Sequence, residues 1–205
     1  MKKLLLILLI VPIIVHSQAK LDSVNGIIYV KEVRQIDMPY KKLKDKAFDW
    51  VAKSYNNSNF VTRINDDDKI LTKGSFEVPA TLSDIPMNKD LLINTKVNYD
   101  LDLEFKDGRY KVELNNIDFG MGPMVKIYLM DYDQFKSYSI DEAIKYEGPG
   151  KKAYLKSVQD DKKLKRTYDR NKDYWKQIID FTMVYLSEIE TSLYSYMKSD
   201  QGDDW

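Results

Sequence analysis

Between Asn94 and Asp118 polar and apolar residues alternate almost without a break. Val97, Tyr99, Leu101, Leu103 and Phe105 take one set of positions, and Asn98, Asp100, Asp102, Glu104 and Lys106 the other. A period of two marks a half-buried strand. After Asp107-Gly108 the alternation resumes, with Tyr110, Val112 and Leu114 against Lys111, Glu113 and Asn115. Asp-Gly suits a two-residue type I′ hairpin turn, in which both central residues take positive φ. So short a loop fixes the register. Phe105 is predicted opposite Tyr110, Leu103 opposite Val112 and Leu101 opposite Leu114, with one apolar and one charged face.

The remaining pattern is read in chain order. Ile27 to Val33 is predicted as a strand, apolar on both faces and therefore internal. Leu43, Ala47, Trp50, Val51 and Ser54 recur at helical spacing with lysines and aspartates between them, an amphipathic helix ended near Asn56-Asn57. Phe60 to Ile64 and Lys69 to Val78 read as two strands about the turn residues Asn65-Asp66-Asp67-Asp68, with Pro79 closing the second. A loop carrying Ser83-Asp84-Ile85-Pro86 leads into the hairpin. Phe119 to Met124 is loop, Val125 to Met130 a further short strand, and Ser139-Ile140-Asp141-Glu142 a capping box for a short helix. The last element is a helix from about Thr167 to Lys198, striped by Trp175, Ile179, Thr182, Leu186, Ile189, Leu193 and Met197. At 1.5 Å per residue it would be roughly 45 Å long, more than twice a typical strand of about 20 Å. It is predicted to overhang the sheet.

The first residues change the picture. Lys2 and Lys3 precede an apolar run from Leu4 to Val15, followed by His16-Ser17-Gln18-Ala19. This is the order of a secretory signal peptide, and the run is short of the roughly 20 residues that span a bilayer. Cleavage after Ser17 or after Ala19 satisfies the small-residue rule. The expectation is export to a periplasm or the extracellular space. The chain contains no cysteine, hence no thiol for a lipid anchor and no disulfide framework. The single histidine, His16, lies in the leader. A mature chain without imidazole or thiol has no Ser-His-Asp triad, no Cys-His pair and no His-based zinc or haem site. No catalytic residue, metal or cofactor is assigned, and the protein is expected not to be an enzyme. Thirty basic residues against thirty-two acidic remain after the leader, a poor balance for nucleic-acid binding.

Four stretches occur in a fixed order: Gly26-Ile27-Ile28-Tyr29-Val30, Ala47-Phe48-Asp49-Trp50-Val51, Asn65-Asp66-Asp67-Asp68 with Lys73-Gly74, and Lys106-Asp107-Gly108-Arg109-Tyr110. Together they resemble a secreted Bacteroidetes family, domain of unknown function 4468, over roughly Asn25 to Asp118. The resemblance implies a TBP-like fold, a curved antiparallel sheet with helices on its convex side, and brings no activity or site residues. The expected fold is therefore α+β: a curved antiparallel sheet in β-α-β-β-β-β-α order, helices on one face, and a long C-terminal helix. The domain reading is a signal peptide over 1–19, the TBP-like domain over 20–118, a loop-rich connection with a short helix over 119–166, the helix over 167–198 and an acidic tail over 199–205.

Two candidate surfaces follow. Asp100, Asp102, Glu104 and Glu113 form an acidic face that would repel phosphate, with Lys111 as partial compensation. Its close carboxylates also leave a carboxylate-based hydrolase or a metal site as a third reading. Met121, Met124, Trp175, Ile179, Leu186, Leu193 and Met197 form a candidate interaction surface for a protein partner or a second copy. The turn Asn65-Asp66-Asp67-Asp68 lacks the Gly and distal Glu of a calcium loop. Nine basic residues between Lys151 and Lys172 suit a solvated helix or linker, or a peripheral contact with anionic lipid. The functional expectation is a non-enzymatic interaction or structural module of the bacterial cell envelope. The alternative is a small-ligand or glycan-binding protein, its ligand held between the sheet and residues 119–150.

Overall fold

The computed structural model describes residues 18–54, 61–83, 90–120 and 124–199. The strands are β1 (Lys20–Asp22), β2 (Ile27–Gln35), β3 (Val61–Asp66), β4 (Lys69–Ser83), β5 (Asp90–Lys106) and β6 (Arg109–Asp118). The helices are α1 (Tyr40–Ser54), α2 (Met124–Leu129), α3 (Tyr132–Lys145), α4 (Lys151–Gln159) and α5 (Asp161–Lys198). The strands form one antiparallel open sheet, curved as in the TBP-like fold, in the order β1-β2-β6-β5-β4-β3.

The hairpin β5–β6 has the register that alternation dictates: Phe105 faces Tyr110, Leu103 faces Val112 and Leu101 faces Leu114. The turn differs from the expected type I′. Gly108 has φ +75°, but among the described residues only Asn116 is a non-glycine with positive φ, so Asp107 does not share it. The Asp107 carboxylate instead accepts the Tyr40 N–H at 2.9 Å, tying the turn to the start of α1. Asn116, at φ +51°, lies where the β5–β6 register shifts between Asn98 and Asp100. Its amide donates to Asp100 at 2.9 Å.

One face of the sheet is covered. Ile28, Val30, Ile70, Phe76, Val78, Val97, Tyr99, Leu101, Leu103, Phe105, Tyr110, Val112 and Leu114 are buried there in one core with Leu43, Ala47, Trp50 and Val51 of α1 and the C-terminal half of α5. Gly74 pairs with Tyr99, and a Cβ at Gly74 would come within 2.3 Å of the Tyr99 ring. The missing side chain makes room for a fully buried tyrosine.

Several expectations are corrected. β2 lies between two strands but is covered on one face only, since Ile27 is exposed. Pro79 does not end β4, which continues to Ser83 opposite β5. β3 pairs only with Lys69–Lys73. Beyond that point β4 has no described strand on its other side, where a proline is tolerated. Val125 to Met130 is not a strand, because most of it forms α2. The cap of α3 is at Asp131, not Ser139: Asp131 accepts the Gln134 N–H at 2.9 Å, and the Gln134 side chain accepts the Asp131 N–H at 3.0 Å. The connection over 119–166 is mostly helical, and α5 begins at Asp161, capped by Asp160. Its 38 residues make about 57 Å. The expected leader up to Ser17, the expected strand start at Phe60, the loop about Pro86, and the tail beyond Ser199 lie outside the described residues.

The overhang of α5 has its own cover. Phe135, Ala143, Val158, Leu164 and Tyr168 form a second core between α3, α4 and the N-terminal half of α5, with Ile127, Met130, Tyr132, Ile140 and Leu155 packed around it. Helices α2 to α4 and the start of α5 thus form an annex beside the sheet.

Candidate functional site

The open face of the sheet carries the predicted carboxylates, and each is met by a lysine. Lys69 Nζ lies 2.7 Å from Asp102, Lys73 3.1 Å from Asp100, Lys111 3.1 Å from Glu104 and 3.3 Å from Glu113, and Lys31 2.7 Å from Glu113. Asp102 does stand opposite Glu113, but these lysines separate their charges. The hydrogen bond from Lys31, with that from Lys111 behind it, holds the Glu113 carboxyl below its ordinary value, while burial opposes the shift. Alternation along one strand hid this, because the neutralising lysines come from β2, β4 and β6. The acidic face is therefore a lattice of balanced charge, and the repulsion of phosphate expected from it has no net charge to drive it. Among the described residues no group of three carboxylates is placed to hold a metal ion. A hollow of about 180 Å³ beside Val33, Glu104 and Lys111 is smaller than the roughly 300–1,000 Å³ of ligand pockets.

The candidate interaction surface is corrected to core. Met124, Ile179, Leu186, Leu193 and Met197 are buried within the chain's own fold, and Trp175 is partly buried with its ring 4.7 Å from that of Tyr174. Met121 lies outside the described residues. A stripe at helical spacing identifies a buried face without saying what buries it, and here the sheet does. Within this interface Arg34 of β2 holds Glu190 of α5 through two hydrogen bonds, Nε to Oε1 at 2.7 Å and a second nitrogen to Oε2 at 2.9 Å. Glu190 is fully buried, and the guanidinium lies 4.5 Å above the Tyr194 ring. The hydroxyl of Tyr110 is buried nearby without a partner. Burial first, then the Glu190 charge, push its ionisation far above the ordinary tyrosine value.

The annex contains what sequence reading missed. Gly150, at φ +92°, caps α4 in a conformation that favours glycine and so permits the tight turn from α3. Tyr132 OH donates to the Asp161 carboxylate at 3.0 Å, and Lys136 reaches the same oxygen at 2.6 Å, fixing α3 against the start of α5. Tyr168 OH donates to the Met130 carbonyl at 3.0 Å. Between α3, α4 and α5 lies a cleft of about 650 Å³. Its apolar wall is Phe135, Val158 and Leu164, and its polar groups include Ser139, Thr167 and Arg170. The Nε of Arg170 is buried and has no hydrogen-bond partner. The signal in the sequence was the basic stretch from Lys151 to Lys172, which contains α4 and the start of α5 but does not reveal that α3 closes over them.

A comparison with curated proteins returns no match. Two crystal structures are similar in part. A DUF4468 family protein from Bacteroides ovatus is 16% identical, with 93% of this chain and 95% of that chain covered and a TM-score of 0.48. A TBP-like protein from Parabacteroides distasonis is 13% identical, with 85% and 95% covered and a TM-score of 0.44. Residues 29–120 match the model of a family described as a domain of unknown function (DUF4468) with TBP-like fold. The resemblance read from the sequence therefore stands, and it is this segment, from near the start of β2 to the residues just after β6, that the chain shares with the DUF4468 family.

Proposed function

We propose that the protein is an exported, non-enzymatic binding module of the bacterial cell envelope, and that its binding site is the cleft of the annex. The cleft itself carries this reading: its volume is that of a small-ligand site, and it joins apolar walls to converging polar groups. The partner-protein reading loses its main support once the α5 stripe is accounted for by the sheet. What remains for it is the outward side of α5, where Val184 is 59% exposed and Phe181 41%. Chemistry on the open sheet face is not proposed, because its carboxylates are held by lysines rather than left to share a proton.

Export rests on the leader. Ala19 is buried and its N–H donates to Ser187 Oγ of α5 at 2.9 Å. Cleavage after Ser17 keeps this contact, and cleavage after Ala19 discards it. The mature chain is therefore expected to begin at Gln18, and the intact mass of the protein recovered from the envelope fraction checks this.

The binding reading is tested with Ser157→Trp. Ser157 lines the cleft from an exposed position on α4, so the indole should fill the space without disturbing either core. Native mass spectrometry of the mature protein incubated with envelope extract should show a small-molecule adduct that the variant lacks. An adduct that survives the substitution overturns the assignment.

A further inference from the structure

Several cations of the annex have acidic partners close by. Lys136 meets Asp161 at 2.6 Å, Lys165 meets Asp169 at 2.6 Å and Lys163 meets Asp160 at 3.5 Å. Arg170 has no acidic partner among the described residues: it lines the cleft, and its buried Nε has no acceptor. The acids nearest to it in the chain are engaged elsewhere, Asp169 by Lys165 and Asp173 by the Gln177 side chain at 3.3 Å. The one carboxylate lining the cleft, Glu142, takes Lys145 at 3.2 Å. Lys163, already paired with Asp160, and Arg166 line it as well. A buried donor without an acceptor is costly to maintain. A guanidinium in a partly desolvated site is well suited to an oxyanion, which it can hold through two parallel hydrogen bonds.

We propose that the cleft takes a small anionic amphiphile, its carboxylate or phosphate group on Arg170 and its apolar body against Phe135, Val158 and Leu164. This rests on the reading of the cleft as the binding site and names the class of its ligand. The apolar residues belong to the second core, so the ligand would extend that core toward the solvent with its charge on the Arg170 guanidinium.

The test is isothermal titration calorimetry of the mature full-length protein with octanoate, octyl phosphate and neutral octanol. At least one anion should bind at least tenfold more tightly than octanol, and the preference between the two anions tells carboxylate from phosphate. Arg170→Gln should weaken anion binding at least tenfold and leave octanol unchanged, with an unaltered far-UV spectrum and melting temperature showing that the fold is intact. Arg170→Lys should recover only part of the affinity, since it restores the charge without the fork. Equal binding of octanol and the anions, or full anion binding by Arg170→Gln, overturns the proposal. If Ser157→Trp blocks the ligands while Arg170→Gln does not, the cleft is still the site and the anionic class is wrong. If no probe binds, or Ser157→Trp blocks none of them, both readings fall.

Discussion

The two faces of the sheet handle charge in opposite ways. Among the described residues the covered face holds one ion pair, Arg34 with Glu190, in a mostly apolar interface that leaves the hydroxyls of Thr72, Tyr110 and Thr182 without partners. The open face spreads four carboxylates among four lysines, most of them partly exposed. Coulomb attraction is strong where water is excluded and weak where it is not. Breaking the lone pair under α5 therefore costs more than breaking any pair of the lattice outside, although the lattice is what the alternation of the hairpin displays.

This contrast sets an order of effects. Arg34→Ala leaves the buried Glu190 carboxyl without its partner, and is expected to destabilise by about 3–5 kcal/mol, measured by chemical denaturation at pH 7. Replacing both partners, Arg34→Met with Glu190→Leu, should restore most of that loss, and a double variant as unstable as Arg34→Ala would break the comparison. Leu186→Ala, in the same interface and fully buried, should cost about 2–5 kcal/mol. Next comes the open face. Because Glu113 ionises below its ordinary value of 4.5 in the folded chain, its contribution is present above that pH and is lost as the pH falls through the folded value. Glu113→Gln should change stability at pH 7 by less than about 1 kcal/mol and flatten the fall in melting temperature below pH 4.5, as followed by circular dichroism. Smallest is Tyr110→Phe, which removes a hydroxyl that bonds to nothing and should leave stability within about 0.5 kcal/mol of the parent or raise it. The same variant should soften the loss of stability above pH 10, where the unfolded tyrosine ionises and the buried one resists.

Local pattern and long-range packing account for what the sequence made legible. The β5–β6 register follows from alternation and a two-residue loop, both contained in a short stretch, and it holds pair for pair. Helix α1 announces itself through Leu43, Ala47, Trp50 and Val51. The annex is faint because the buried positions of α3 are Phe135, Ser139 and Ala143, a stripe with one large residue. The Asp131–Gln134 cap was present in the sequence, yet Ser139 to Glu142 has the same form eight residues on and drew the helix start to itself. Val125 to Met130 is an apolar run too short to separate strand from helix by periodicity. The cleft needs three helices that only the fold brings together, so Arg170 was legible as one member of a basic stretch and not as a buried donor.

The outer side of β4 bears on how the protein meets other chains. Thr81 turns its N–H and C=O away from β5, and Gln177 of α5 takes both, accepting from the N–H at 3.0 Å and donating to the carbonyl at 3.1 Å. Backbone groups two residues apart in a strand share a side, so the nitrogen of Pro79, which has no hydrogen to offer, lies along this same margin. A foreign strand seeking to zip onto the sheet here would find one rung missing and the next already occupied by a glutamine. At these two positions the margin is closed to fibrillar growth and to peptide capture by strand addition.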